Sequence, residues 1–331
     1  MTEKDKRKNK PAKRKAVIAL LFVGVIFLLF LFFKYAYNGS ILDSLPGEQD
    51  NVENTDTNAV SGLDTEPTFT MTMLDVGQGL AILIEADGRY MLYDGGGRDS
   101  SAYVVSYLSS RGIEAVDIVI ASHYDEDHIA GLIGVLNTAY VGSFVCPEYE
   151  ADTKIYESLC ENLIKKGTTV IHPYEKQAFA LGDAIVQVIS PEKYLTEDQE
   201  NENNYSVAVR ISYGNFSCII TGDAEEELER SIAASDINIK SDVLVVGHHG
   251  SSSSSCEAFI KAVAPEYAFI SCGSGNAYGH PAKRTLNTLK KYGVQIFRTD
   301  MQGEVSVSSD GEKYCFSEEA CSDWSPGVYT G

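Results

Sequence analysis

Hydrophobic and polar positions divide the chain into regions of different character. Positions 16–33 read AVIALLFVGVIFLLFLFF, an uncharged run of about the length that a bilayer core requires. Positions 34–66 are rich in Asn, Asp, Glu, Thr and Ser, which predicts a flexible acidic linker. Beyond these, short β-branched runs alternate with helix-like ones, which predicts an α/β domain over 67–310 and a tail over 311–331.

The apolar run predicts an uncleaved membrane anchor. The basic segment 1–15 precedes it, and the positive-inside rule places that segment in the cytoplasm and everything after Lys34 outside. No small-x-small cleavage site follows the run, which is also long for a signal sequence, although a cleaved signal peptide is the alternative. We therefore expect a single-pass protein of the cell membrane with an extracellular domain.

Within the predicted domain, strand-like runs come first, and strands and helices then alternate. The runs TFTMTMLDVG, LAILIEADG and RYMLYDGGG are separated by glycine-containing turns, as in a meander. Positions 100–111 read as a helix, and the buried strand VDIVIASH follows. Two packed sheets with helices outside would satisfy this order. Polar clusters recur where predicted strands end, and such ends can converge on one site; they lie at Asp94, His123, Asp223 and His248.

Charge is divided as sharply as hydropathy. The chain has 27 Lys and Arg against 47 Asp and Glu, a formal net charge of −20. Nine basic and two acidic residues lie in the first 34 positions, so the other 18 basic and 45 acidic residues give −27. Because phosphate binding normally needs a positive surface, nucleic acid would have to be held by metal ions or a local basic patch. Ordinary solvated helix charge is the simpler explanation of the candidates for such a patch. These candidates are Lys283, Arg284, Lys290, Lys291 and Arg298.

The segment HYDEDH at 123–128 holds the densest set of metal-binding side chains. Imidazole nitrogens and carboxylate oxygens bind borderline divalent cations, and the alternative is a solvated acidic loop. Asp223 and the pair His248-His249 end two other predicted strands. Together the set could enclose two cations about 3.5–4 Å apart, bridged by one carboxylate. The members within the segment are His123, Asp125, Asp127 and His128.

With these motifs the chain resembles the metallo-β-lactamase superfamily, and more closely the extracellular ComEC-type competence domain and its free-standing relatives. The matching segments, in family order over about 67–305, are MLDVGQG, YDGGG, SHYDEDHIAGL, TGDA, VGHHGSSSS and the Gly-His-Pro at 279–281. The resemblance implies a four-layer αββα sandwich with two divalent metal ions, Zn or Mn. It further implies a hydrolase that cleaves phosphodiesters through a metal-bound hydroxide. DNA is the first candidate substrate, and the implied process is DNA uptake.

The resemblance also assigns the metal ligands. They are His123 and Asp125 for the first metal, Asp127, His128 and His248 for the second, and Asp223 as the bridge. Asp127 and Asp223 would in addition orient the attacking water. Asp125 and Asn204 stand where many members of the superfamily have His, a departure that is usual in the competence-type branch. The first site is then oxygen-rich, which favours Mn²⁺ or Mg²⁺ over Zn²⁺ and implies weak or variable occupancy.

Further residues would act around the metals. Asp94 would hold the motif loop, although an Asp before Gly is as readily a turn residue. His249 and His280 would contact a substrate phosphate or protonate a leaving group, and Ser251 in the serine run would contact an anion. Leu80 departs from the Asp that commonly follows the competence-type GQG segment, so any contribution of that Asp to the site is lost.

Two other functions fit the sequence. One is hydrolysis of a small phosphoester, or of a cell-wall component that carries phosphocholine. The other is a non-catalytic role in the cell envelope, in which the protein binds metal or a partner. The complete set of metal ligands argues against this second role. The sequence specifies no protein partner.

Overall fold

The computed structural model describes residues 58–63, 65–196 and 201–329. The basic segment, the predicted anchor and most of the predicted linker lie outside these residues. Within the described ranges, no helix is both long enough and apolar enough to cross a membrane.

Two sheets form the centre of the domain. The strands of the first are β1 (Phe69–Met73), β2 (Ile82–Ala86), β3 (Arg89–Tyr93), β4 (Ala115–Ile120), β5 (Tyr140–Val145), β6 (Thr169–Ile171), β14 (Val305–Ser309) and β15 (Tyr314–Phe316). Those of the second are β7 (Ala178–Leu181), β8 (Ala184–Val188), β9 (Val209–Tyr213), β10 (Phe216–Ile220), β11 (Val243–Val245), β12 (Tyr267–Ile270) and β13 (Gln295–Arg298). The strand orders are β15-β14-β1-β2-β3-β4-β5-β6 and β13-β12-β11-β10-β9-β8-β7.

Helices pack around the two sheets. They are α1 (Ser101–Ser110), α2 (Glu126–Thr138), α3 (Lys154–Lys166), α4 (Lys193–Thr196), α5 (Glu226–Ala233), α6 (Glu257–Val263), α7 (Lys283–Lys291) and α8 (Thr299–Gln302). One apolar cluster lies between the sheets, a second joins the first sheet to α1, α2 and α3, and a third joins the second sheet to α5, α6 and α7. These layers confirm the predicted αββα sandwich.

Strand β4 illustrates how the sequence produces these layers. Ile118 and Ile120 belong to the cluster between the sheets, whereas Val119 and Ala121 pack under the helices. Successive side chains of a strand point to opposite faces, so a strand that is covered on both sides reads as a continuous apolar run. This strand is the predicted VDIVIASH segment, and its end carries the metal-binding motif.

The folded region extends past position 310, where we expected the tail to begin. Strand β15 pairs antiparallel with β14, with Tyr314 opposite Ser309. Ala59, from the region predicted as linker, forms a bridge with Tyr314. A three-residue strand is too short to show a clear alternation in the sequence.

A buried guanidinium holds the C-terminal segment. The Arg298 side chain is fully buried. Its Nε and Nη2 donate to the two carboxylate oxygens of Asp300 at 2.9 and 2.7 Å. Its Nη1 donates to the carbonyl oxygens of Asp323 and Ser325 at 3.3 and 2.6 Å. Arg298 therefore holds the chain in place and is not part of a basic surface patch.

This segment continues to the loop that contains His280. The Gly327 amide donates to the carbonyl oxygen of Pro281 at 2.9 Å. A Cβ at position 327 would lie 2.1 Å from the His280 carbonyl oxygen, so only glycine allows this approach. The predicted tail thus supports one of the predicted site residues.

Replacing Asp300 with Asn should destabilise the domain, because it leaves the Arg298 guanidinium buried without its carboxylate. Removing one partner of a buried ion pair costs about 3–5 kcal/mol. Urea unfolding should show a loss of that order in the free energy of unfolding. The matched control is Glu257→Gln, which breaks an exposed pair with Lys291 and should cost less than about 1 kcal/mol. Equal losses in the two variants would contradict this role of Arg298.

Candidate metal centre

The motif HYDEDH spans the junction between β4 and α2. Helix α2 begins at Glu126 with Asp125 at its N-cap, so His123 lies on the loop while Asp127 and His128 lie in the first turn. The helix packs closely on the YDGGG loop, because a Cβ at Gly131 would lie 1.8 Å from the Gly95 carbonyl oxygen. This close contact brings the residue before Gly95, Asp94, next to the motif.

The carboxylate of Asp94 orients two motif histidines. It is fully buried and accepts hydrogen bonds from the Ser122 amide at 2.7 Å and the Ser122 hydroxyl at 2.7 Å. Its Oδ2 also lies 2.8 Å from His128 Nδ1. The Ser122 hydroxyl has its proton committed to Asp94, so it can only accept from His123 Nδ1, 2.9 Å away. Both imidazoles therefore donate through Nδ1 and present Nε2 as a free ligand atom.

Two groups of side chains present their ligand atoms to common points. In each group the ligand atoms lie within 4.8 Å of one another. Asp223 Oδ1 is 3.2 Å from His128 Nε2. His249 Nε2 is 3.2 Å from His128 Nε2, 3.4 Å from Asp127 Oδ2 and 3.5 Å from Asp223 Oδ2. The groups are His123, His128 and Asp223, and Asp127, His128 and His249.

The donor atoms of this site fit divalent cations. His123 Nε2 and Asp223 Oδ1 are buried and make no hydrogen bond, which costs about 1–3 kcal/mol for each group left without a partner. His249 donates its Nδ1 proton to the Ser271 carbonyl oxygen at 3.0 Å, so its neutral form has a lone pair on Nε2. The lone pair on His249 Nε2 faces the lone pair on His128 Nε2, 3.2 Å away. Because two lone pairs repel each other, this arrangement is favourable only with a positive charge between the two nitrogen atoms. A cation would satisfy all of these atoms.

The pKa values of the same side chains describe a site of strong negative potential. Burial alone would lower the pKa of His249, but the carboxylates of Asp223 and Asp127 raise it to about 9. Burial also opposes the protonation of His128, yet Asp223 and Asp94 raise its pKa well above the ordinary value. Burial raises the pKa of Asp127 and of Asp223, but His128 and His249 hold both well below the usual range. A metal ion entering the site would replace the protons on the histidines.

The two neighbouring histidines of the GHHG segment occupy different positions. The resemblance implied that His248 binds the second metal and that His249 contacts a substrate phosphate or protonates a leaving group. In the structure His249 belongs to a ligand group, whereas His248 lies beside the groups with its Nε2 3.6 Å from Asp223 Oδ2. The cause is local: β11 ends at Val245, and both histidines adopt positive φ angles of 50° and 55° in the turn that follows. His248 Nδ1 instead lies 3.3 Å from Glu225 Oε1.

Asp125, predicted as a ligand of the first metal, and Asn204, predicted to lie around the metals or the substrate, are outside both groups. Asp125 is half-exposed, and its Oδ2 is 3.6 Å from His123 Nε2. Asn204 is buried, and its side-chain oxygen accepts from the Glu225 amide at 3.2 Å. The Asp125 carboxylate thus lies beside His123, while the Asn204 side-chain oxygen is engaged by the backbone.

His280 and Ser251 differ in how they relate to the centre. The His280 ring lies 5.7 Å from the His248 ring and 6.4 Å from the His249 ring, and its buried Nδ1 has no partner. Burial, together with His249 and His248, lowers its pKa to about 4. The Ser251 hydroxyl is 3.0 Å from the Ser253 hydroxyl and belongs to the turn.

Three residues that orient the site were not predicted from the sequence. Ser122 links Asp94 to His123, Ser271 accepts from His249, and Glu225 lies against His248. Ser122 directly precedes HYDEDH and Glu225 directly follows TGDA, so adjacency was an available signal. Ser271 directly follows β12, far along the chain from the motif, and only the fold brings it to the site.

Comparison with known proteins identifies the class of this domain. A family model of the metallo-β-lactamase superfamily matches residues 74–274. The chain therefore belongs to the metallo-β-lactamase superfamily, as its motifs predicted.

Particular relatives are competence proteins. The chain is 30% identical over 251 residues to ComE operon protein 3 of Bacillus subtilis. This alignment covers 70% of this chain and 32% of that protein. The chain is 30% identical over 240 residues to competence protein ComA of Neisseria gonorrhoeae, with coverages of 72% and 32%. It thus spans about a third of the length of these relatives. The metallo-beta-lactamase fold protein YhfI from Bacillus subtilis aligns at 13% identity with a TM-score of 0.49, covering 70% of this chain and 96% of that one.

Replacing Asp94 with Asn should weaken metal binding by about 10- to 100-fold, the usual cost of losing a carboxylate behind histidine ligands. Metal affinity would be measured by competition with a chromophoric chelator. The matched control is Asp242→Asn, because Asp242 also accepts from the amide and hydroxyl of one serine, Ser217. If both variants bind metal as tightly as the parent, Asp94 does not orient the ligands.

Proposed function

We propose that this protein is a metal-dependent hydrolase of phosphodiesters, with DNA as the first candidate substrate. The observation that carries the proposal is the ligand set whose free atoms, His123 Nε2 and Asp223 Oδ1, converge beside His128. Divalent cations bound there would polarise a phosphoryl oxygen and lower the pKa of water. The relatives named as competence proteins support DNA over other phosphodiesters.

We assign the residues as follows. His123 and Asp125 would hold a first ion, Asp127, His128 and His249 would hold a second, and Asp223 would be the carboxylate shared between them. Zn or Mn would suit this mixture of nitrogen and oxygen ligands. In this assignment His249 takes the ligand role first given to His248.

The side chains around the ions then prepare the site for an anionic substrate. The low pKa values of Asp127 and Asp223 keep both carboxylates charged and available to the ions. His280, whose pKa is about 4, stays neutral at pH 7 and offers a hydrogen bond to a phosphate oxygen. His248 lies against Glu225, and its Nε2 lies beside Asp223 Oδ2. Ser251 stabilises the turn that follows His248 and His249, and we assign it no contact with a bound anion.

The surface beside the site favours a short or single-stranded substrate over a duplex. Arg284 pairs with Glu226, Lys291 pairs with Glu257, and Arg298 is buried. Three of the five predicted basic residues are thus neutralised by partners. Duplex binding relies on several unpaired cations along a groove, whereas a single phosphodiester needs only the metal centre.

We further propose that the predicted anchor at 16–33 holds this domain on the outer face of the cell membrane. The motivating observation is the uncharged run preceded by a basic segment. Protease added to intact spheroplasts should digest the domain and leave an N-terminal membrane fragment. Protection of the domain until the membrane is lysed would contradict this location.

The activity test uses the full-length chain in detergent, stripped of metal and reloaded with Mn²⁺ or Zn²⁺. Substrates are single-stranded DNA, double-stranded DNA and bis-p-nitrophenyl phosphate. His128→Ala should reduce hydrolysis at least about 100-fold, since it removes a ligand shared by both groups. His249→Ala should lose bound metal, and His248→Ala should keep it.

His172→Ala is the control, because His172 belongs to neither ligand group. Hydrolysis that survives in His128→Ala would contradict the proposed site. Cleavage of the chromogenic diester alone would remove DNA as the substrate. Metal binding without any turnover would favour the non-catalytic alternative.

A further inference from the structure

A cavity of about 540 Å³ opens beside the metal centre. Its volume is within the range of about 300–1,000 Å³ that small-molecule sites occupy. Asp127, a proposed metal ligand, lies in its wall, and Tyr278 lies in the wall as well. Its remaining lining comes from the glycine-containing segments 76–78 and 97–100 and from Glu126. The cavity therefore places Tyr278 and the proposed metal ligand Asp127 in one wall, within reach of a single bound molecule.

Tyr278 is the outer member of a row of three rings. Its ring lies 5.6 Å from the His280 ring at an interplanar angle of 23°. The His280 ring in turn lies 6.4 Å from the His249 ring at 25°. The row runs from a proposed metal ligand to the protein surface, where Tyr278 is 67% exposed. An exposed aromatic face at the rim of a cavity offers a surface for stacking.

The backbone that carries Tyr278 is held firmly. The Asn276 side-chain oxygen accepts from the amides of Tyr278 and His280 at 3.1 and 3.0 Å. The Asn276 amide group donates to the carbonyl oxygens of Gly273 and His280 at 2.8 and 2.6 Å. Gly327 packs behind the loop. A platform fixed before binding loses little conformational entropy when a ligand stacks on it.

The charge of the cavity restricts what can occupy it. Asp99, Glu126 and Asp127 contribute three carboxylates, and the one guanidinium, Arg98, is paired with Glu126 at 2.8 Å. Carboxylates repel phosphates, so the cavity does not suit a run of nucleotides along its length. It suits one phosphate at the metals followed by an uncharged planar group over Tyr278.

We infer that Tyr278 is a stacking subsite for the nucleobase next to the scissile phosphodiester. The inference rests on the proposed phosphodiesterase function and narrows its substrate to nucleotide diesters and single-stranded ends. It makes Tyr278 a specificity-determining residue that acts on substrate binding and leaves the metal ions in place.

The test compares two diesters in the metal-loaded, full-length chain. One is the thymidine dinucleotide dTpdT, and the other is the same diester with tetrahydrofuran in place of both bases. Tyr278→Ala should raise KM for dTpdT by roughly 5- to 150-fold, the usual effect of losing one base–aromatic stack. It should leave kcat, metal content and the KM for the abasic diester unchanged. Tyr278→Phe should behave as the parent.

The matched control is Tyr140→Ala, because Tyr140 is equally exposed, at 71%, and does not line the cavity. An unchanged KM for dTpdT in Tyr278→Ala, or equal losses on both diesters, would overturn the subsite and leave the phosphodiesterase proposal standing. Tyr278-dependent hydrolysis of p-nitrophenyl phosphocholine without hydrolysis of dTpdT would also overturn it, in favour of a cationic head group.

If the parent protein hydrolyses no diester, the proposed function fails and binding decides the subsite. Fluorescence anisotropy of a labelled thymidine octanucleotide would then be measured with Mn²⁺ present. Weaker binding by Tyr278→Ala than by the parent and Tyr140→Ala supports the stacking subsite. Equal binding of the octanucleotide by all three proteins, or no binding by any of them, overturns the stacking subsite.

Discussion

The site depends on one buried carboxylate. Asp94 accepts from the Ser122 amide and hydroxyl and lies 2.8 Å from His128 Nδ1, and through Ser122 it also fixes His123. A buried carboxylate is costly unless it is fully hydrogen-bonded. The fold meets that cost by bringing the YDGGG loop against α2, where Gly131 allows the backbones to touch. The same contacts turn the Nε2 atoms of both histidines towards one point.

Much of this arrangement could be predicted from the sequence. The β-branched runs, the strand-end positions of the polar clusters and the motif spacing led to the αββα sandwich and to His123, His128 and Asp223 as neighbours. Local pattern was sufficient there because each residue follows a buried strand whose end is fixed by its own hydrophobic run. The short strands β6, β7 and β15 cannot be predicted in this way, because three or four residues show no clear period.

The remaining differences arise from a turn conformation and from tertiary contacts that the local sequence pattern does not show. No residue pattern distinguishes His248 from His249, because the positive φ angles of the turn decide which ring points inward. The role of Arg298 was equally hidden, since a basic residue after a strand reads as solvated until Asp300 and the C-terminal segment are seen around it. The contacts of Arg298 with Asp323 and Ser325 depend on backbone that lies far away in the sequence, whereas the positions of the two histidines depend on the conformation of their own turn.

The central claim is that Asp94 and Ser122 commit the histidines to bind metal through Nε2, with Asp223 between two ions. Crystals of the protein grown with Mn²⁺ or Zn²⁺ and examined by anomalous diffraction test it most directly. The account predicts two anomalous peaks within about 3.5–4 Å of each other, with Asp223 bound to both and with His123, His128 and His249 bound through Nε2. Metal bound through Nδ1, peaks that do not involve Asp223, or no peak in this site would contradict it.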